Sequence, residues 1–127
     1  MRAIDVHVHP STRGLDHHAC RYFRRDLSEV PQTAEAFADL YIKHDVKAPL
    51  IGWHPSTVKE GSQNSNEHVI ELAARFPDAF PGILGSLDIH AEDLNALADY
   101  AQKLARNPKV LGFKFHPFIQ SFDPLDP

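Results

Sequence analysis

The sequence has 127 residues, and its 13 basic and 17 acidic side chains give a formal net charge of -4 with histidine neutral. A content of 43% hydrophobic and 24% charged residues is typical of a globular chain rather than a disordered one. The acidic excess argues against nucleic acid or an anionic membrane as the main partner, because both select clustered Lys and Arg. With no membrane-length apolar run, no secretory signal and one cysteine, Cys20, we expect a cytoplasmic protein.

The first predicted strand covers residues 4–8 and alternates apolar with polar side chains. Alternation places the two sets on opposite faces, with Ile4, Val6 and Val8 on one and Asp5, His7 and His9 on the other. A polar stretch follows from residue 10 to residue 31. It is longer than an ordinary connection between a strand and a helix, which makes it a candidate part of a site.

Three helices and three further strands follow in alternation. The first helix is predicted from Thr33 to His44. The second opens with a capping box of Asn64 and Glu67 and ends before Pro77. The third has its apolar stripe between Leu94 and Leu104 and ends at Asn107-Pro108. The intervening strands are predicted over residues 48–53, 82–89 and 110–115.

The order βαβαβαβ predicts an α/β fold with parallel strands and crossover helices. A doubly wound dinucleotide-binding sheet needs a Gly-x-Gly turn after its first strand, whereas here that turn reads HPST. We therefore predict the N-terminal half of a TIM (β/α)8 barrel, in a single partial domain of residues 1–127. Residues 122–127 read as a loop with no helix to cover the fourth strand, so we expect this domain to be truncated at its C-terminus.

Three histidines are candidate metal ligands because each lies at the end of a predicted strand. His7 and His9 share one face of the first strand, roughly 6–7 Å apart along it, and His116 follows the fourth strand. Barrel active sites lie at the C-terminal ends of the strands. Neutral imidazole suits Zn²⁺, with Mn²⁺, Fe²⁺ or Co²⁺ as alternatives in mixed sites. A hydrogen-bonded core histidine is the alternative interpretation of His116.

Three further side chains are candidate substrate contacts. Trp53 and His54 follow the second strand, although Trp53 is equally a packing residue. Lys114 shares the inward face of the fourth strand with His116, while Phe113 and Phe115 face outward. A structural ion pair with Asp5 or another inward acid is the alternative for Lys114, because an unpaired buried ammonium is costly.

Three segments resemble the amidohydrolase superfamily, in the branch that includes aminocarboxymuconate-semialdehyde decarboxylase and resorcylate-type decarboxylases. Residues 4–10 (IDVHVHP) are similar to its opening metal motif, residues 64–77 (NSNEHVIELAARFP) to its second helix, and residues 112–120 (GFKFHPFIQ) to its fourth-strand motif. The resemblance implies that His116 binds metal. It also implies a later histidine and a proton-transferring aspartate, which we expect beyond residue 127.

The implied function is a metal-dependent hydrolase or non-oxidative decarboxylase that acts on a small carboxylated or cyclic substrate. A phosphoesterase of another His-x-His barrel type would require more ligands and a basic phosphate pocket. The non-enzymatic alternative is an inactive truncated half-barrel that at most binds metal, or that associates with a partner or a second copy through its exposed edges.

Overall fold

The structure of the protein is a computed structural model that describes residues 1–10, 24, 26, 28, 30–53 and 64–125. Strands and helices alternate along it, which confirms the prediction of an α/β chain. In chain order the elements are β1 (Ala3–Ile4), α1 (Ala34–Lys43), β2 (Val46–Lys47), β3 (Leu50–Ile51), α2 (Asn66–Arg75), β4 (Ile83–Gly85), α3 (Leu94–Ala105), β5 (Val110–Phe113) and α4 (Pro117–Gln120).

The strands pair in parallel and form two small sheets. β1 pairs with β2, and β3, β4 and β5 form a three-stranded sheet in that order. A parallel bridge between Val8 and Leu50 places the first strand segment beside β3 as well. Neighbouring strands therefore follow the order of the chain, and their carboxyl ends lie on the same side.

The first strand does not keep the predicted alternation. Ile4 pairs with Lys47 and Val8 with Leu50, so four steps along the first strand match three along its neighbour. An extra residue of this kind acts as a β-bulge and shifts the side chains that follow to the other face. Val8 is accordingly buried at 5% exposure, whereas Val6 is 69% exposed. Ile4 is also exposed, at 56%, so the predicted face of Ile4, Val6 and Val8 is not buried as a unit.

The second predicted strand, residues 48–53, is divided and begins earlier. β2 ends at Lys47 and β3 starts at Leu50, with Ala48 and Pro49 between them. Pro49 has no N–H to donate to a ladder, which accounts for the interruption. Ala48 N–H instead donates to Ala79 O at 3.0 Å and joins the strand to the segment before β4.

The third and fourth predicted strands are shorter than expected. β4 ends at Gly85 because the backbone N–H and C=O of Ser86 bond to the side chain of Asn66 rather than to a neighbouring strand. Asp88, three residues after Gly85, accepts the His90 N–H through its Oδ1 and so starts a turn. β5 ends at Phe113 and is soon followed by the short helix α4, which the sequence did not predict.

The helices start and end close to their predicted positions. The first helix begins next to Thr33, as predicted, and Thr33 caps it by accepting the Ala36 N–H at 3.1 Å. The capping box of Asn64 and Glu67 is wrong by one residue, because Ser65 caps α2 by accepting the His68 N–H at 3.2 Å. No helix in the described part of the chain is long and apolar enough to cross a membrane.

The apolar core lies between the strands and the helices α1 and α2. Phe80 is fully buried there, with its ring centroid 5.3 Å from that of Phe37 and 5.5 Å from that of Tyr41. Leu50 and Ile83 of the central strands are also fully buried. The core therefore holds one face of the sheet against the helices and fixes the strand ends that carry the candidate site.

Candidate metal and substrate site

The three histidines predicted as metal ligands lie together at the carboxyl ends of the strands. The ring centroids of His7 and His9 are 5.4 Å apart, and those of His7 and His116 are 6.5 Å apart. His116 comes from the far end of the sequence, and the parallel strand order brings it to this edge. The convergence was predictable from the strand-end positions alone.

The donor spacing is close to that of a three-histidine metal site but not identical to it. Zn–N bonds of 2.0–2.1 Å and a tetrahedral angle put ligand ring centroids about 5 Å apart. The His7–His9 pair is near this value, whereas the His7–His116 pair is roughly 1.5 Å wider. As they stand, the described residues include no group of three His, Cys, Asp or Glu side chains arranged to hold an ion.

His9 is held in its neutral form. Burial is the main cause that lowers its pKa to about 4, and His7 and, to a smaller extent, His116 and Lys114 lower it further. A bond to the Ile51 carbonyl, whose oxygen lies 3.3 Å from His9 Nδ1, acts in the opposite direction. Neutral imidazole is the form that binds metal ions, so this environment suits a ligand.

Two neighbours compete for the same nitrogen of His9. The Trp53 indole N–H donates to Nδ1, which requires that Nδ1 carry no proton. The Ile51 carbonyl can only accept, so its contact with Nδ1 requires a protonated Nδ1. Only this second tautomer leaves Nε2 free to bind an ion. Ion binding would therefore weaken the contact between Trp53 and His9.

His116 has a buried nitrogen without a partner. No hydrogen bond among the described residues reaches its Nδ1, although the atom is inaccessible to solvent. Burial, followed by the nearby Lys114 and His7, lowers the His116 pKa. A buried polar atom without a hydrogen-bond partner costs about 1–3 kcal/mol. A neutral imidazole that lacks its partner fits the chemistry of a metal ligand.

A narrow pocket of about 10 Å³ lies among these side chains. Cavities of this size hold about one water molecule. Its lining brings together two of the predicted ligands, two of the three predicted substrate contacts and four further residues: His9, His116, Trp53, Lys114, Ile51, Gly52, Ser86 and Gln120. The other predicted substrate contact, His54, lies outside the described residues.

Lys114 does not form the ion pair with Asp5 that was the alternative interpretation of this residue. Asp5 accepts hydrogen bonds from the His7 N–H and, at 3.4 Å, from Tyr41 Oη of α1. No ion pair joins Lys114 to a carboxylate anywhere in the described part of the chain. Asp5 is instead bonded to Tyr41, on the side of the strand that faces α1. The Lys114 ammonium is left beside His9 and His116.

Two buried side-chain amides, Asn64 (predicted only as a helix cap) and Asn66 (not predicted), hold the strand ends together. Asn64 Nδ2 donates to Pro10 O at 2.9 Å and so holds the segment that carries His9. Asn66 donates to Ser86 O at 2.8 Å and accepts the Ser86 N–H at 2.9 Å. A Cβ atom at Gly52 would come within 2.5 Å of Asn66 Oδ1, so glycine is required there. The sequence signal for these buried amides was the presence of two asparagines, Asn64 and Asn66, at the start of one helix.

Comparison of this chain with protein-family models, with curated proteins and with solved structures finds no match in any of the three.

Proposed function

We propose that this chain carries the opening strands of a metal-dependent hydrolase or non-oxidative decarboxylase barrel, in which His7, His9 and His116 hold a divalent ion. The observation that carries the proposal is that His116 lies 6.5 Å from His7, ring centroid to ring centroid, with a buried nitrogen that no described residue satisfies. Imidazole donors of this kind favour Zn²⁺.

The chain's own residues would prepare such a site in two ways. Burial keeps His9 neutral, so that it is available as a ligand at neutral pH. Trp53 packs against His9, with the ring centroids 4.6 Å apart, and lines the same pocket. When bound, a divalent ion lowers the pKa of a coordinated water and polarises a carbonyl or carboxylate oxygen.

Lys114 would bind an anionic group of the substrate. Its ammonium lines the pocket beside His116, and no described carboxylate neutralises it. A partly buried cation with no ion pair among the described residues favours a ligand that brings a negative charge, because the pair then shares the cost of leaving water. The expected substrate is therefore a small molecule with a carboxylate, such as a cyclic acid or an amide of an acidic compound.

The metal content of the purified protein tests the proposal directly. We expect close to one Zn²⁺ per chain by plasma mass spectrometry, and loss of that ion in the His7→Ala/His9→Ala variant. His44→Ala is the matched control, since it removes an exposed histidine from the end of α1. Trp53 is the only tryptophan, so its fluorescence should change on Zn²⁺ addition as the His9 contact weakens.

Two results would contradict this function. If wild-type protein contains no more metal than the double variant, His7, His9 and His116 do not form a metal site. Equal metal loss in His44→Ala would show that the ion binds to surface histidines. If the ion is confirmed, release of carbon dioxide from a carboxylated substrate separates decarboxylation from hydrolysis.

A second candidate role is association through the open sides of the sheet. Val6, two residues after β1, is 69% exposed, and Leu111 on β5 is 60% exposed, so apolar surface is uncovered at both outer sides of the strands. Exposed strand edges with apolar side chains favour pairing with another chain or segment. Sedimentation of the same protein samples distinguishes this role, since association would persist in the metal-free double variant.

A further inference from the structure

Gln120 is buried beside the candidate site, and both ends of its side chain are bonded to backbone. It lies at the end of α4 with only 4% of its surface exposed. Its Oε1 accepts the His116 N–H at 2.7 Å, and its Nε2 donates to Leu87 O at 2.8 Å. Its own N–H donates to His116 O at 2.8 Å. The side chain therefore joins the segment after β4 to the segment after β5.

These two segments lie beyond the ends of their strands. β4 stops at Gly85 and β5 at Phe113, and the last backbone bond between them is from Lys114 N–H to Gly85 O at 2.8 Å. From this point the sheet no longer fixes the distance between the two chains. The Gln120 amide supplies one acceptor and one donor across this gap, which is the role that a ladder pair has within the sheet.

The His116 imidazole has no hydrogen bond of its own to a described residue, and its Nδ1 is buried without a partner. Its orientation therefore depends on where its backbone is held. Contacts with neighbouring rings are loose, since the Trp53 and His7 centroids are 6.1 Å and 6.5 Å away. The bonds from Gln120 to the His116 N–H and C=O are the closest constraints on that backbone.

We propose that Gln120 is a positioning residue that fixes the backbone of His116 against the segment after β4, and thereby the direction of the His116 ring. Gln120 lines the pocket, and both described hydrogen bonds of its amide go to backbone groups, the His116 N–H and the Leu87 carbonyl. The expected effect of Gln120 on metal binding rests on the proposed function. Its expected effect on the orientation of the His116 ring is independent of that function.

Two substitutions separate the two ends of the amide. Gln120→Met has a similar length and removes both bonds, whereas Gln120→Glu keeps an acceptor for the His116 N–H and loses the donor to Leu87. Leu104→Ala is the control, because it truncates a buried side chain at the end of α3, before β5, whereas His116 follows β5. All variants are compared under conditions in which circular dichroism shows them fully folded.

Zn²⁺ affinity by chelator competition and the nuclear magnetic resonance signals of His116 are the two measurements. Loss of a group that orients a ligand typically weakens metal affinity about 10–100-fold, which is the result expected for Gln120→Met. Gln120→Glu should lie between this variant and the wild type, and Leu104→Ala should match the wild type. The His116 amide should exchange faster, and its ring signals should shift relative to those of Trp53, in Gln120→Met alone.

The outcomes distinguish the two proposals. If wild-type protein binds Zn²⁺ and Gln120→Met binds it equally well, the positioning role is wrong and the proposed function stands. If wild-type protein does not bind Zn²⁺, the proposed function fails, and the His116 ring signals alone decide the role of Gln120. Equal changes in Gln120→Met and Leu104→Ala would indicate general destabilisation and overturn the inference.

Discussion

The two ends of the parallel strands are held by different kinds of interaction. Near the amino ends, the fully buried Phe80 packs on Phe37 and Tyr41, and the backbone of Ala79 bonds to that of Ala48. At the carboxyl ends, the buried amides of Asn66 and Gln120 bond to the backbone of the segments that follow β4 and β5. One end is held by apolar packing and the other by side-chain hydrogen bonds.

This difference separates stability from the placement of the site. Apolar packing is non-directional and tolerates small shifts, whereas a hydrogen bond fixes distance and angle. Side chains that must approach one another closely, such as His7 and His116, therefore benefit from amide contacts around them. We expect substitutions at the amino ends to change only the free energy of unfolding. Substitutions at the carboxyl ends should change both the free energy of unfolding and the geometry of the site.

Phe80→Ala should give the largest loss of stability and leave the site intact. Truncation of a fully buried phenylalanine costs about 3–5 kcal/mol because it removes apolar contacts and leaves a cavity. Urea denaturation measures this loss, and Phe115→Ala, at an exposed phenylalanine, should cost less than about 1 kcal/mol. A reduced Zn²⁺ affinity in the folded Phe80→Ala variant would show that packing at the amino ends also controls the geometry of the site.

Much of the fold was predictable because it depends on local patterns. Helical spacing and a capping residue such as Thr33 identify helices, and runs of apolar residues identify strands. The approach of His116 to His7 followed from parallel strands that end at one edge. These features need only the residues of one element and the general geometry of α/β folds.

The parts that could not be predicted depend on contacts between distant residues. The extra residue between Ile4 and Val8 is visible only from the pairing with the second strand. The end of β4 is set by Asn66, whose amide takes both backbone groups of Ser86. No local pattern in the sequence reports such a partner. The assignment of Asn64 as a helix cap failed for the same reason, since its amide bonds to Pro10.

Asn66→Leu sharpens the comparison at the carboxyl ends. The substitution leaves the N–H and C=O of the buried Ser86 without partners, and we expect a loss of about 3 kcal/mol in the free energy of unfolding. Asn95→Leu, at an exposed position of α3, is the control and should be nearly neutral. Urea denaturation provides both values. Equal stability of the two variants would mean that the amide of Asn66 is not needed at this end.

The smallest expected effect is a loss of stability in acid that comes from His9. An unfolded histidine binds a proton near pH 6.5, but burial lowers the His9 pKa to about 4 in the folded protein. Between these values the unfolded state binds more protons, so the contribution is complete above pH 6.5 and is lost as the pH falls to about 4. Because solvent still reaches part of the ring, we expect roughly 2 kcal/mol.

Carboxylates protonate in an overlapping pH range and also change the stability. A variant without an ionisable group at position 9 separates the contribution of His9 from theirs. His9→Gln keeps an acceptor for the Trp53 indole but cannot gain a proton. The difference in unfolding free energy between wild type and His9→Gln should therefore shrink as the pH falls from 6.5 to 4 and be constant above that window. A difference that does not vary with pH would show that His9 is solvated like a surface histidine. In that case the carboxyl ends of the strands would be too open to keep its imidazole neutral in acid.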